Sequence, residues 1–557
     1  MTASATAPRH ASTWSRVAGI GSVFGKTLRD SRRATLLVGA LVGLLILIVA
    51  AGIGSQFSTP EARQEIKNIV NAVPPILQGL AGRPLNVDTL GGYLQYKYGG
   101  FLPLVTGLWS ILALSGTLAG ESRRGSLDVV LAAPISRRRV AWQKVLGHVL
   151  MLAIAMAVIG ASTALAGSAF AKLSGDAISA GAAFSFALWL GLMALAAGSL
   201  AFALAPFVGR GSAAGLAGAA MLGGFLLNGY QTSIPALAPF ANLTWFGWTT
   251  NHIPLAGQFD WPSLAITAAV AVALLLVGVE AFARRDVGAG TALPSPRLPR
   301  LLLGLGSPFG RASSERFPTG LAWGAGLGFF GFVIASSGPS FIEEIGDSPE
   351  FSRAIASLFP GIDIATIGGF LELVFIEFGL VLAGLAAAGL VGGWASDERS
   401  GRLEMLLPAP VRRWWWPFSG ALGVLVGIVV LTGVTALGIG IGTASAGGDL
   451  GTPVLGVLAI GLYASAMAGV GMAVGGLVGP AFAAPTVAAL TILTWLIDLV
   501  GGDIGLPDWA HQLALSSHMG QPMVGVWDAN GIVACLAVAV GGALLGALAF
   551  ARRDLRS

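Results

Sequence analysis

The chain has 557 residues, of which 55% are hydrophobic and 11% charged, and its formal net charge is +5. A charged fraction so far below the roughly one-quarter of soluble domains excludes a water-exposed globular protein, so the solvent around most of this chain is lipid. The single cysteine, Cys535, excludes a disulfide framework and a thiolate metal cluster, and no set of His, Asp and Glu has metal-ligand spacing.

In chain order, residues 1–33 form a basic lead in which Trp14, Val17, Phe24 and Leu28 make an apolar stripe opposite Arg16, Lys26 and Arg29. That is the pattern of a helix lying on a membrane surface, a cytoplasmic elbow. The segment GSVFGKT from Gly21 imitates a phosphate-binding loop, but Ile20 stands where the first glycine is required and no strand precedes it. No other Gly-Lys-Ser/Thr occurs, so any ATP hydrolysis falls to another polypeptide. The first apolar run starts near Ala34 and is too long for a signal-peptide core, which predicts a retained span.

Apolar runs near the ~20 residues that a helix needs to cross a bilayer recur along the chain. The first six spans are predicted near 34–54, 99–120, 145–168, 180–207, 213–231 and 263–283, and the second six near 318–337, 369–394, 416–444, 453–476, 481–500 and 529–550. Backbone amides in hydrocarbon have no water to bond, so these are helices, and the ~10-residue alternating segments of a barrel are absent. Lys and Arg gather at Arg29, Arg32 and Arg33, at residues 123–144, at Arg210, at residues 284–316 and 399–413, and at Arg552, Arg553 and Arg556. The positive-inside rule makes these segments cytoplasmic, together with both termini, and their simplest partner is anionic membrane lipid and not nucleic acid. Residues 231–263 and 501–528 contain no Lys or Arg, and residues 338–366 are acidic; these face outward.

An internal repeat organises the chain. ESRRGSLDVVLAAPISR from Glu121 aligns without a gap on DERSGRLEMLLPAPVRR from Asp397, LGGYLQ from Leu90 parallels IGGFLE from Ile367, and AFARRD closes both halves at Ala281 and Ala549. Residues 34–286 and 317–557 are therefore read as two six-helix repeats of like orientation, with coupling elements at 121–139 and 397–414. Residues 287–316, rich in Pro, Gly and Arg, are a cytoplasmic linker and second elbow. The expected fold class is all-α integral membrane, with about twelve transmembrane helices as two parallel six-helix repeats.

The duplicated cytoplasmic segment is the most specific signal. Ser126 can cap a short helix with Asp128 in its first turn and Leu127, Val130 and Leu131 on its apolar side, which Pro134 stops. The residues Glu121, Gly125, Leu127, Asp128, Leu131 and Pro134, and again Asp397, Gly401, Leu403, Glu404, Leu407 and Pro410, resemble the coupling region of ABC-2 type permeases. The fused form is similar to actinobacterial permeases assigned to tetronasin-like antibiotic or multidrug export. The resemblance implies an ABC-2, type V exporter-like fold and docking of those residues on a nucleotide-binding subunit. It also implies lid helices in the outward segments that hold Pro235, Pro239, Trp245 and Trp248, or Pro507, Trp509 and Pro522. Ser136 is answered by Arg412, and Arg138 and Arg139 by Trp414 and Trp415, so the two docking surfaces differ. Trp414, Trp415 and Trp416 read as an aromatic belt at the inner interface.

ERSGR from Glu398 also imitates a loop of major facilitator transporters, but the first copy reads ESRRG, which breaks that spacing. Among ionisable groups inside spans, Glu377 lies deepest and either lines a cavity meeting a polar or cationic substrate or is a buried structural acid. Glu372 and Asp498 are placed near the outer interface, Glu280 near the inner one, and His148 is expected packed and neutral. The resemblance implies a path lined mainly by the second and fifth spans of each repeat, with Phe101, Trp109, Phe225, Phe375, Glu377 and Trp495 as its candidate residues. The expected protein is a non-catalytic permease subunit of an exporter in a bacterial plasma membrane. It would be driven by two copies of a separate ATPase subunit that carry ATP and Mg, and would move small amphipathic substrates. Proton-coupled efflux and export of lipid or polysaccharide stand as alternatives.

Overall fold

The computed structural model describes residues 22–552 except 73–77, 80, 119–134, 233–236, 285–303, 305–306, 347–364, 400–414, 505–506, 508 and 510–511. The chain divides into two compact units, one from residues 1–71 and 78–294 and the other from 72–77 and 295–557.

The first unit is helical throughout. Its long elements are α1 (Val23–Gln56), α2 (Pro60–Ala72), α3 (Leu90–Gly99), α4 (Leu102–Thr117), α5 (Arg137–Ala169) and α6 (Ala180–Tyr230). Two one-turn helices follow, α7 (Ala238–Ala241) and α8 (Trp245–Trp248), then a 3-10 turn at Pro254–Ala256 and α9 (Trp261–Arg284). At 1.5 Å per residue α6 would measure about 77 Å, far more than one bilayer crossing. Gly209, at φ 79°, breaks it, so the fourth and fifth expected spans meet there with hardly any loop.

No break separates residues 23–33 from the first span. Ser22 caps α1 by accepting from Gly25 N, and Val23, Gly25 and Thr27 are buried. Of the expected elbow, residues 1–21, with Trp14, Arg16 and Val17, lie outside the described residues, and within residues 22–33 Phe24 N donates to Gln143 on α5 at 3.2 Å. Lys26 and Thr27 of the Gly-Lys-Thr sequence accordingly lie within a helix, with Thr27 Oγ1 donating to the carbonyl of Val23 at 2.8 Å. One core cluster joins Val23, Leu114, Leu118, Val140, Val145, Phe202, Leu275 and Val279 from five helices. Leu36, Leu37, Leu41 and Leu44 on the other face of α1 are exposed, as befits a helix whose solvent is hydrocarbon.

The second unit contains α10 (Pro308–Ser336), α11 (Gly338–Gly346), α12 (Ile367–Leu371), a π-helical turn at Glu372–Ile376, and α13 (Glu377–Arg399). After these come α14 (Trp415–Ser445), α15 (Gly451–Gly456), α16 (Leu458–Leu477), α17 (Pro480–Ile504) and α18 (Ala529–Arg552). Between α17 and α18 a two-residue hairpin pairs Gly520 with Trp527 and Gln521 with Val526, and it encloses a 3-10 turn at Pro522–Val524. The most intimate helix pair is α10 against α14, where Gly320 and Gly324 sit on the backbone of Gly427 and Leu431. Without a hydrophobic drive between helices in lipid, such backbone approach supplies the packing energy. Of the expected second elbow only residue 304 and residues 307–316 are described, and from Pro308 they continue in α10 without a break, Pro318 included.

Among the described residues ten helices are long and apolar enough to cross a membrane, and the bent pair α3–α4 makes eleven. The two arms of α6 on either side of Gly209 fall on the fourth and fifth expected spans.

Candidate functional site

The second traversal of each unit begins in the same way and is interrupted soon after. In the first unit Thr89 caps α3 by accepting from Gly92 N at 3.1 Å, and α3 meets α4 at a bend of 51°. In the second, Thr366 caps α12 by accepting from Gly369 N at 3.0 Å, and the π turn follows. Such caps satisfy amide donors that the first helical turn leaves free.

A Pro-x-x-Gly turn lies on each of these helix starts. Pro254–Ala256 is closed by Gly257 at φ 86°, and Pro522–Val524 by Gly525 at φ 83°, a left-handed geometry that glycine adopts without strain. The approach is at backbone distance: a Cβ on Gly91 would collide with the Leu255 carbonyl, and one on Gly368 would sit 2.7 Å from the Met523 carbonyl oxygen. The amide next to each carbonyl is bonded from the helix. Leu255 N donates to Gln95 Oε1 at 3.4 Å, and Met523 N donates to Glu372 Oε2 at 2.7 Å. Gln95 and Glu372 are the last residues of LGGYLQ and IGGFLE, so one duplicated contact is made by an amide in one unit and by a carboxylic acid in the other.

Glu372, expected at the interface, is therefore a buried residue, 6% exposed, with its oxygen on a backbone amide. In the first unit the turn has further anchors. Asn86 Nδ2 donates to the Ala256 carbonyl at 3.0 Å. His252, just upstream, accepts from Asp260 N at Nδ1 and lies 3.1 Å from Ser185 Oγ at Nε2. Burial holds its pKa below the ordinary value, partly offset by Asp260.

The expected path residues separate into two groups. Phe101, at the α3–α4 bend, is 7% exposed and meets Tyr98 edge-on at 5.6 Å; Phe225 is 8% exposed, 5.9 Å from Phe246. Phe375 is fully buried and packs 5.3 Å from Phe330. Trp109 and Trp495 are half-buried, and Glu377 is exposed one residue beyond the π turn. Phe378 links Phe330, at 6.5 Å, to Trp495, at 6.4 Å, so one aromatic run joins α10, α13 and α17 beside Glu377. Trp109 contacts the ring of His148 at 5.7 Å, and His148, buried as expected, is 3.0 Å from Ser110 Oγ.

Of the coupling residues, Glu121, Gly125, Leu127, Asp128, Leu131 and Pro134, and Gly401, Leu403, Glu404, Leu407 and Pro410, lie outside the described residues. Asp397 falls in the last turns of α13, and nothing is described of its side chain. The flanks are well built. Ser136 caps α5 by accepting from Arg139 N, and Glu280 bonds both Arg138 and Arg284, tying the start of α5 to the end of α9. Trp416, expected in an interfacial belt, packs inside its unit between Trp394 at 6.0 Å and Phe550 at 5.2 Å.

Sequence reading missed Gln95, His252 and the two Pro-x-x-Gly turns as functional elements. Their signal was available: Pro254 and Gly257 stand as far from Pro522 and Gly525 as the two AFARRD motifs stand from each other.

Residues 21–287 match the family model of the ABC-2 family transporter protein, and residues 305–551 match that of the C-terminal domain of multidrug efflux system permease Rv1217c. The chain is also 29% identical over 322 residues to the multidrug efflux system permease protein Rv1217c of Mycobacterium tuberculosis, an alignment covering 56% of this chain and 58% of that relative. Residues 21–287 are thus similar to the ABC-2 family transporters and residues 305–551 to the C-terminal domain of a multidrug efflux permease, each stretch contributing helices long and apolar enough to cross a bilayer.

Proposed function

We propose that this chain is the membrane subunit of an ATP-driven exporter that removes amphipathic drugs or antibiotics from a bacterial cell. The match of residues 21–287 to the ABC-2 model carries the reading, because permeases of that kind move cargo while a separate nucleotide-binding subunit consumes ATP. The printed name of the mycobacterial relative supports drug efflux as the activity. The duplicated segments at 121–139 and 397–414 are the docking elements, which gives one permease and two ATPase copies with both chain termini in the cytoplasm.

Cargo meets the second and fifth spans of each unit. Their open faces support this: Val105, Leu108 and Leu112 on α4, Leu216 on α6, Glu377 on α13, and Phe482 and Leu493 on α17 are exposed. ATP binding and hydrolysis in the ATPase subunits, transmitted through the docking elements, move these faces between inward and outward access. The residues of this chain transmit that movement and carry out no bond chemistry.

Purification in mild detergent tests the assembly: a nucleotide-binding subunit should accompany the chain at about two copies per permease. Everted vesicles holding that complex should accumulate a fluorescent amphiphile only with ATP. Accumulation that persists without nucleotide and collapses with a protonophore would replace this reading with proton-coupled transport.

A further inference from the structure

We propose that Glu372 is a positioning residue for transport, its carboxylate holding the Pro522–Val524 turn as a lid on the second traversal of its unit until protonation lets the lid lift. The inference rests on the exporter reading for its role in transport and on the charge pattern for placing the lid outside. The latch itself stands on the geometry of this unit alone.

Four observations converge on it. Glu372 is 6% exposed and opens a π-helical turn, an irregularity that helices keep where they have a local job to do. Its Oε2 accepts from Met523 N at 2.7 Å, a short bond to the middle of the lid. The lid cannot shift sideways without leaving this contact, since the Met523 carbonyl is already against Gly368 and Met523 is fully buried. In the other unit the matching bond from Leu255 N to Gln95 is longer, 3.4 Å, and Asn86 anchors that turn as well, so the short contact to a titratable acceptor belongs to the second unit.

A carboxylic acid at that position therefore adds something an amide lacks, a second protonation state. As a carboxylate Glu372 is the stronger acceptor, since ionised partners make hydrogen bonds about twice as strong as neutral ones. Once protonated it offers the Met523 amide a weaker bond, and the lid is released. Neither Ile367–Leu371 nor Pro522–Val524 contains a titratable side chain. Of the other elements packed on the π turn, α13 begins with Glu377. On α10 the charged residues Arg311, Glu315 and Arg316 lie about 20 Å along the helix from Phe330, which marks the contact. No cation among these described elements stands next to Glu372 to hold it ionised against acid.

The test needs neither ATP nor cargo, so it separates this latch from the exporter reading. In the full chain, Cys535→Ala removes the only cysteine, and Met523→Cys then places a reporter beneath the lid without altering the amide. Labelling of intact cells by a membrane-impermeant maleimide is followed between pH 8 and 5.5, with Val526→Cys, 55% exposed, as the open reference. The expected result is that reactivity at residue 523, relative to residue 526, rises several-fold on acidification. Glu372→Gln, whose amide does not titrate, should hold the ratio at one value across the pH range, and Glu372→Ala should keep it high. A ratio independent of pH in the parent, or an acid response that survives Glu372→Gln, overturns the latch. Failure of Val526→Cys to label from outside overturns the lid's placement and the proposal with it.

Discussion

Arg63 and Asp176 form an ion pair at 3.0 Å that is almost wholly withdrawn from solvent, with side chains 2% and 0% exposed. Asp176 also accepts from the backbone amides of Leu90, Lys172 and Leu173, and Arg63 Nε donates to the Phe57 carbonyl at 2.6 Å. One carboxylate thus ties α2, the loop before α6 and the first amide of α3 together. Removing one partner of a buried pair leaves the other charge uncompensated, which costs about 3–5 kcal/mol. Asp176→Ala should therefore lower the thermal midpoint in detergent and expose residues 60–72 to protease. The half-exposed Lys67–Asp88 pair at 3.2 Å is the control: Asp88→Ala should cost about 1 kcal/mol or less. Equal effects of the two substitutions would refute the buried brace.

His252 makes the first unit sensitive to acid. A backbone N–H from Asp260 points at Nδ1, so the ring is neutral with its hydrogen on Nε2, donated to Ser185 Oγ. Burial is the main cause that lowers its pKa from the ordinary 6.5. The unfolded chain then takes up a proton near pH 6.5 while the folded chain resists it. The stabilising contribution is present above that value and is lost as pH falls below it toward the depressed pKa. The thermal midpoint of the detergent-solubilised chain should drop between pH 7.5 and 5, and His252→Gln should lower the midpoint at pH 7.5 while flattening the drop. An unchanged slope in that variant would assign the acid sensitivity elsewhere.

Much of the fold was legible because lipid imposes a simple rule on sequence. Long apolar runs must be helices, and the runs from 145 to 168 and 529 to 550 fall inside α5 and α18. Helix starts were less legible. Residues 1–33 read as a surface helix apart from the first span, yet their described part is continuous with it in α1 from Val23, where Phe24 bonds α5, a tertiary contact that hydropathy cannot register. The contact of Glu372 escaped notice for a related reason: composition locates an acid near an interface but cannot say that a turn more than 150 residues later donates an amide to it. The Pro-x-x-Gly turns escaped notice because each is too short to change a hydropathy window, although their spacing repeated.

Docking of the ATPase subunit is expected to depend on the apolar side of both duplicated segments. Leu127→Arg together with Leu403→Arg places a charge in each proposed interface and should release the ATPase subunit on affinity purification. The permease should still elute as a single species, because the membrane helices are untouched. Either substitution alone should weaken retention unequally, since Arg138 and Arg139 follow one segment and Trp414 and Trp415 the other. Full retention by the double variant would count against these segments as the docking elements.

On the proposed cargo path, Glu377 is expected to set the preference for charged cargo. It lies 11 residues beyond the Thr366 cap, about 15 Å along the helix and near the middle of the ~30 Å hydrocarbon layer. A charged side chain facing lipid at that depth costs about 2.5–3.5 kcal/mol on insertion scales, so the face of α13 that exposes it is a wetted one. Phe378 and Trp495, 6.4 Å apart, border that face with flat aromatic surface, which suits an amphiphile carrying a positive charge. Glu377→Gln keeps size and polarity and removes the charge. Initial efflux of a permanently cationic dye should fall about tenfold, equivalent to about 1.4 kcal/mol, while a neutral amphiphile of similar size stays within about twofold. Because the paired cargoes share one assembly and one ATPase, a loss of fold or of coupling would lower both rates together. Only a selective loss for the cation supports a charge that meets cargo.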